Sequence, residues 1–225
     1  METFEYNKIN KYDIQGFIYS LLKNTPFENY HNVIGFKFFN FSNIFPVSDF
    51  KEDNVKNLII SSPNNFFINN LKLVLNKMET FRLNRFNMLI EKLISINPKK
   101  YNKFVTSTPI VLFEDSFINK YFSFKQNNDF NFFFNRLKDN AVKKYNAYTG
   151  NYFNLDDDLF NSFEFNREVS VRVTKKDNTF IIIGSLWRSL EADINKNNRD
   201  FYKFVLDCGL GEKNSLGFGM VNDLR

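Results

Sequence analysis

Apolar positions along this chain follow two alternating rhythms. Across 13–23, DIQGFIYSLLK, the residues Ile14, Phe17, Ile18, Leu21 and Leu22 recur at the three-and-four spacing of one helix face, with Asp13 placed as a cap. VIGFKFFNFSNIF (33–45) instead alternates apolar and polar positions and is rich in β-branched and aromatic side chains, which predicts a strand. VKNLIISS (55–62) does so more weakly before Pro63. The segment 62–77 opens with Ser-Pro and carries Phe66, Phe67, Leu71, Val74 and Leu75 on one stripe, which predicts a second helix. Residues 81–96 and 103–113 then read as extended, separated by the turn-like NPKKYN.

The second half repeats much of this order. A helix is predicted over about 129–147, with Phe130, Phe133, Phe134, Leu137, Ala141 and Val142 on its inner face, leading to a TGN turn. Strands follow at 162–174 and 179–187 around a KKDN hairpin turn, then a helix near 195–207 and the short strand GFGMV. Helix, strand, strand, helix, strand, twice over, predicts an α+β protein of tandem ferredoxin-like (RRM-like) domains, antiparallel sheets backed by helices. The expected domains are 1–113 and 114–225, divided in the polar stretch 114–128. The start is the odd part, because METFEY is short for the strand that should open the first unit.

Composition narrows the chemistry. The 225 residues contain no run of 18 apolar positions, and the start lacks the basic-then-apolar order of a signal peptide, so a cytoplasmic protein with no membrane contact is expected. Cys208 is the single cysteine and His31 the single histidine, which excludes an intrachain disulfide, cysteine-based zinc sites and histidine clusters. Neither a metal nor a cofactor is expected. A hard cation on Asp156, Asp157 and Asp158 is the remaining option, and a solvated loop is the simpler reading of that run. The net charge of +5 sits wholly in the first half, with 14 Lys and Arg against 9 Asp and Glu in residues 1–113 and 16 against 16 thereafter. A basic face of this kind suits a polyanion. The 30 phenylalanines read mostly as core.

Residues 209–219, GLGEKNSLGFG, hold four of the eight glycines. Glycine-rich loops often offer backbone amides to phosphate, but the nucleotide-binding fingerprints need a helix after the loop, and Met220 to Arg225 do not supply one. The loop follows a helix instead. It is expected to fold against the sheet and to present its own amides, Lys213 and the Ser215 hydroxyl as a positive surface; the alternative is a structural turn packed on the inner strand.

Gly-hydrophobic-Gly at 209–211, five residues including a basic one at 212–216, and Gly-x-Gly at 217–219 resemble the C-terminal signature of the Cas6 family of CRISPR repeat endoribonucleases. GFKFFNFSNIF (35–45), FVTSTPIVL (104–112) and FIIIGSLWRSL (180–190) are similar to other segments of that family, while the weak first strand and the Asn-rich insertions depart from it.

The resemblance implies a metal-independent endoribonuclease that cuts CRISPR precursor RNA within repeats by 2′-OH attack, leaving a 2′,3′-cyclic phosphate. It places His31, between the first helix and the following strand, as general acid or base, Lys37 in that strand as a charge stabiliser, and Tyr19 on the helix to orient the 2′-OH. Tyr12 and Tyr30 compete for the tyrosine role, and Lys37 also fits a solvent-facing strand position. Gly209, Gly211, Lys213, Asn214, Ser215, Gly217 and Gly219, with Lys175 and Lys176 at the hairpin tip, are the expected RNA contacts. Partners implied are CRISPR repeat RNA, other CRISPR effector subunits and a second copy of the chain as a homodimer. The alternatives are a catalytically inactive repeat-RNA-binding protein of the same fold and a protein-interaction subunit of an effector complex.

Overall fold

The structure is a computed structural model that describes residues 3–96, 102–175 and 178–224. Its first helix, α1 (Lys11–Leu21), begins one turn earlier than Asp13 would have capped it. Asn10 is the cap: its side chain accepts from the Tyr12 amide at 2.7 Å, and the Asp13 carboxylate accepts the Asn10 amide at 2.8 Å. This reciprocal box satisfies two amides that the helix itself leaves unpaired. α2 (Asn65–Leu75) and α3 (Phe130–Thr149) start from Asn64 and Asp129, whose side chains accept the amides of Phe67 and Phe132 without a reciprocal bond. α3 stops at Gly150, whose φ of 70° is left-handed. α4 spans Arg199–Cys208.

The strands of the first half are short. β1 (Asn40–Phe41) pairs antiparallel with β2 (Ile60–Ser61), prolonged by a single bridge from Phe45 to Asn57. Most of the predicted strand 33–45 is therefore loop. Its backbone turns on itself, because Gly35 has φ 103°, the Phe39 amide bonds the Lys37 carbonyl, and the Lys37 amine turns back to the Val33 carbonyl. Lys37 thus lies on a loop, not in a strand as expected. Among the described residues the start forms one bridge, Phe4 to Phe50, and no opening strand. The extended segment 81–96 is in fact a hairpin, β3 (Thr80–Leu83) with β4 (Phe86–Leu89), turned at Asn84 in the left-handed region. The NPKKYN turn lies, apart from Asn102, outside the described residues.

β5 (Lys103–Thr106) pairs with β9 and β10 of a four-stranded antiparallel sheet, ordered β10-β5-β9-β8, where β8 is Ser162–Lys175, β9 Asn178–Glu191 and β10 Val221–Asp223. A division at 113/114 would cut this sheet, since β5 belongs to it by hydrogen bonding. The stretch 114–128 is likewise no bare linker. β6 (Phe113–Asp115) and β7 (Lys120–Tyr121) form a small hairpin there.

Each half buries its own core. Phe17, Ile18, Leu22, Phe39, Phe41 and Phe67 fill the first, and Phe133, Leu137, Trp187, Leu190, Phe201 and Tyr202 fill the second. A smaller cluster joins them: Leu216 and Phe218 from the glycine loop pack with Val111, Val173 and Ile182, and Tyr12 of α1 leans on it. Polar bonds from the first half complete the joint. Lys11 Nζ donates to the Gly217 carbonyl at 2.6 Å and to Asn43 Oδ1 at 3.0 Å, Gln15 donates to the Ser215 carbonyl at 2.7 Å, and Asn40 to the Phe218 carbonyl at 2.9 Å.

Two predictions test this joint. Gly219 has φ 69°, and a Cβ there would collide with the Leu210 carbonyl oxygen, whereas Gly16 on the exposed side of α1 has nothing within 4 Å. Gly219→Ala should lower the unfolding free energy by more than ~1 kcal/mol, and Gly16→Ala should raise it by about 0.5–1 kcal/mol, as read by denaturant melts. The second concerns Lys11, whose amine burial pushes down to about 7 from 10.5. Between those values the unfolded chain holds a proton that the folded chain has released, so this group makes stability rise with pH from about 7 to 10.5. Wild type minus Lys11→Met should show that rise in urea unfolding at pH 7 and 10. Parallel pH profiles would contradict it.

Candidate active site

The glycine loop is held from within. Lys144 of α3 is buried, and its amine donates to the carbonyls of Gly209 at 2.8 Å and Gly211 at 3.0 Å and to Asn214 Oδ1 at 2.8 Å. Asn214 in turn donates to the carbonyls of Leu210 and Phe218. Burial lowers the Lys144 pKa, opposed by Cys208 and Glu212. The amides of Gly209, Leu210, Glu212, Leu216, Gly217, Phe218 and Gly219 also bond to protein carbonyls. The four glycines are buried, and a Cβ on them would strike Asn40, Val111, Phe41 or Leu210. Seven of the loop's eleven amides therefore turn to the protein, and the glycines let the loop lie flush on it, because only a missing side chain permits so close an approach. Glu212, Lys213 and Ser215 are what the loop shows on its outer side.

Against Ser215 stands the end of α1. The Tyr19 hydroxyl bonds the Ser215 side chain, and burial together with neighbouring Tyr30 pushes the Tyr19 pKa up to about 12 despite that bond. Tyr19 is consequently a proton-bearing hydroxyl at neutral pH, able to donate and orient but not to abstract. His31 lies on a short 3₁₀ turn, Glu28–Asn32, and its ring meets the Tyr19 ring edge-on at 4.9 Å. The imidazole is exposed, with Nδ1 3.1 Å from Asn32 Oδ1. Lys37 follows on the loop, its amine 5.7 Å from the centre of the Tyr30 ring, and partial burial lowers its pKa. Tyr30 itself is tied into the packing by accepting the Phe38 amide, so of the three candidate tyrosines it is Tyr19 that faces both His31 and the loop.

Lys213 crosses to the β6–β7 hairpin, where its amine lies 5.2 Å from the Phe113 ring centre and 5.7 Å from that of Tyr121. Those two rings stack at 4.9 Å, a cationic and aromatic platform beside the loop. Burial lowers the Lys213 pKa and Glu212 opposes this. Lys175, exposed near the end of β8, holds its amine 5.4 Å from the Tyr12 ring of α1, so that hairpin reaches toward the same helix. Lys176 lies outside the described residues.

A cavity of about 150 Å³ opens between the Gly35–Lys37 loop, α3 and the glycine loop, and Ser215 and Lys37 both line it. Gln15, Lys11, Lys144, Asn140 and Glu212 shape this region without having been singled out by motif reading. For the two buried lysines a signal existed. Lys11 falls on the stripe of Ile14, Ile18 and Leu21, and Lys144 on that of Phe133, Leu137 and Ala141, where a cation has to find internal acceptors. Among the described residues no group of three or more His, Cys, Asp or Glu side chains could hold a metal ion, and no helix is long and apolar enough to cross a membrane.

Comparison with known proteins agrees with this geometry. Residues 91–222 match the family described as CRISPR associated protein Cas6, C-terminal. Over all of its length and 96% of the relative, the chain is 45% identical to CRISPR-associated endoribonuclease Cas6 2 of Methanocaldococcus jannaschii. It is 32% identical to CRISPR-associated endoribonuclease Cas6 1 of the same organism, over 85% of this chain and 75% of that one. A solved structure described as CRISPR associated protein Cas6 superposes with a TM-score of 0.71 at 29% identity, covering 100% of this chain and 94% of the other. The fold, with its inward-held glycine loop, and a family match over more than half the chain meet in one assignment: the chain belongs to the Cas6 family of CRISPR-associated endoribonucleases.

Proposed function

We propose that this chain cuts CRISPR precursor RNA within its repeats by attack of a ribose 2′-OH on the adjacent phosphate, with no metal ion taking part. The bond formed is from O2′ to phosphorus and the bond broken is from phosphorus to O5′, so the products are a 2′,3′-cyclic phosphate and a 5′-OH. The observation that carries this reading is that Tyr19 of α1 touches both His31 of the 3₁₀ turn and Ser215 of the glycine loop, while Ser215 and Lys37 line one cavity.

In this scheme the nucleophile arrives with the substrate, and the protein has to align it and move protons. His31, exposed and held at Nδ1 by Asn32, takes the 2′-OH proton or delivers one to O5′. Tyr19 keeps its proton and orients the 2′-OH through its hydroxyl, backed by Ser215. The Lys37 ammonium stabilises charge building on the phosphorane oxygens. Lys213, Ser215 and Lys175 contact the RNA backbone, while Gly209, Gly211, Asn214, Gly217 and Gly219 position the loop. The chain works in the cytoplasm on repeat RNA, and a second copy or other effector subunits add to it without supplying the chemistry.

The test is single-turnover cleavage of the repeat RNA. Cleavage should persist in EDTA, and a strict requirement for Mg²⁺ would overturn the scheme. His31→Ala should slow the reaction by ~10²–10⁴ while affinity changes little, because proton transfer is lost and phosphate contacts remain. A variant that cuts at the wild-type rate would remove His31 from the chemistry. If the wild type binds the repeat and does not cut it, the inactive RNA-binding reading replaces this one.

A further inference from the structure

The loop between His31 and Lys37 exposes what proteins usually bury. Residues 31–36 are exposed in an unbroken run, and three of them are apolar: Val33 at 47%, Ile34 at 100% and Phe36 at 38%. The loop is nonetheless tied down. The Lys37 amine bonds the Val33 carbonyl across it, the Phe38 amide donates to the Tyr30 hydroxyl at 2.9 Å, and the Phe38 ring packs on Tyr148 and Phe204. Gly35 turns the backbone with a φ of 103°, and a Cβ there would meet nothing within 4 Å. Unlike the glycines of 209–219, this one serves a backbone angle and not a close approach.

Of the three apolar residues, Phe36 also lines the 150 Å³ cavity, together with Lys37, Lys213 and Ser215. Its ring meets Phe38 at 6.2 Å with a tilt of 40°, a contact that leaves it partly open to solvent. Exposed apolar surface rimmed by polar groups marks a contact with another molecule. An open aromatic ring next to lysines suits an unpaired nucleotide, because the ammonium groups attract its phosphate and the ring takes the face of its base. A protein segment laid on Val33, Ile34 and Phe36 would cover the flanking His31 and Lys37 as well, and would close the way of RNA to both.

We propose that Phe36 stacks on the unpaired base of a nucleotide that flanks the cleaved phosphate, and so holds that nucleotide in register with His31 and Lys37. The inference rests on the reading of the chain as a repeat-RNA nuclease with those two side chains at the phosphate. Phe36 is here a positioning residue. Stacking engages the face of a base and not its hydrogen-bonding edge, so this contact accepts any base and fails only when the base is missing.

The probes are the intact repeat RNA, two RNAs in which one or the other nucleotide flanking the cleaved linkage keeps its ribose and lacks its base, and RNAs with a different base at those positions. Wild type should lose about tenfold in single-turnover rate or affinity at one of the two abasic positions, and little when the base there is exchanged. Phe36→Ala should lose a similar factor on intact RNA and nothing further on that abasic RNA, since both changes remove one contact, and Phe36→Tyr should restore the loss. Penalties that multiply would overturn the proposal. So would an active wild type that cuts intact and both abasic RNAs alike, or a Phe36→Ala protein that binds and cuts as wild type does. A Phe36→Ala protein that cuts normally and changes its self-association in sedimentation would make the loop a protein contact, and would overturn the proposal too. Should Phe36→Ala fail to fold by thermal melt, Phe36→Leu is read against the same RNAs. Each of these failures leaves the cleavage reading standing, whereas a wild type that neither binds nor cuts the repeat overturns both.

Discussion

Carbonyl groups of residues 209–219 point into the protein, and a buried carbonyl has to find a donor. This need organises the molecule. Lys144 and Asn214 meet it from the second half, and Lys11, Gln15 and Asn40 meet it from the first. The loop is thereby the joint between two cores that otherwise pack separately. Because Lys11 and Gln15 both sit on α1, the same bonds fix the helix that carries Tyr19, and with it the contact to His31.

Burying two lysine amines is an expensive way to hold a loop, and burial lowers the pKa of both Lys11 and Lys144. What offsets the cost is geometry. Lys144 meets three acceptors within 2.8–3.0 Å, and Lys11 adds the Phe218 ring at 4.7 Å to its two bonds. A site that works by alignment benefits from such fixed anchors, since a displacement of about 1 Å can cost on the order of 10² in rate. The three side chains proposed to carry the chemistry, Tyr19, His31 and Lys37, are on a helix end, a 3₁₀ turn and a loop, and their order is inherited from the elements beneath them.

Helices were the most legible feature, because stripes such as Phe133, Leu137 and Ala141 leave one solution for a 3.6-residue period. The strand predicted over 33–45 was not. Its alternation is real, but Gly35 and the Lys37 turn divert the backbone, and only Asn40–Phe41 find a ladder partner. β5 pairs with β9 and β10 across the expected boundary, which its own residues do not disclose because a strand's partners are non-local. The glycine motif identified the family, and the packed turn that was the alternative reading of the loop is what its four glycines make. Glycine allows a backbone to approach a ligand or its own sheet, and the residues that decide between the two, Asn40, Phe41 and Val111, are distant in sequence. The convergence of Tyr19, His31 and Ser215 depends on the same folding and has no local signature beyond family spacing.

In the proposed mechanism the loop and α1 align a nucleophile that belongs to the substrate. The most direct measurement replaces the ribose at the cleaved linkage with 2′-deoxyribose and follows binding and cleavage together. Affinity should stay close to that of the all-ribose repeat, cleavage at that linkage should vanish, and the products from the all-ribose RNA should carry a 2′,3′-cyclic phosphate. Cleavage of the deoxy-substituted linkage at a comparable rate would mean that water or a protein group attacks the phosphate, and would contradict the account.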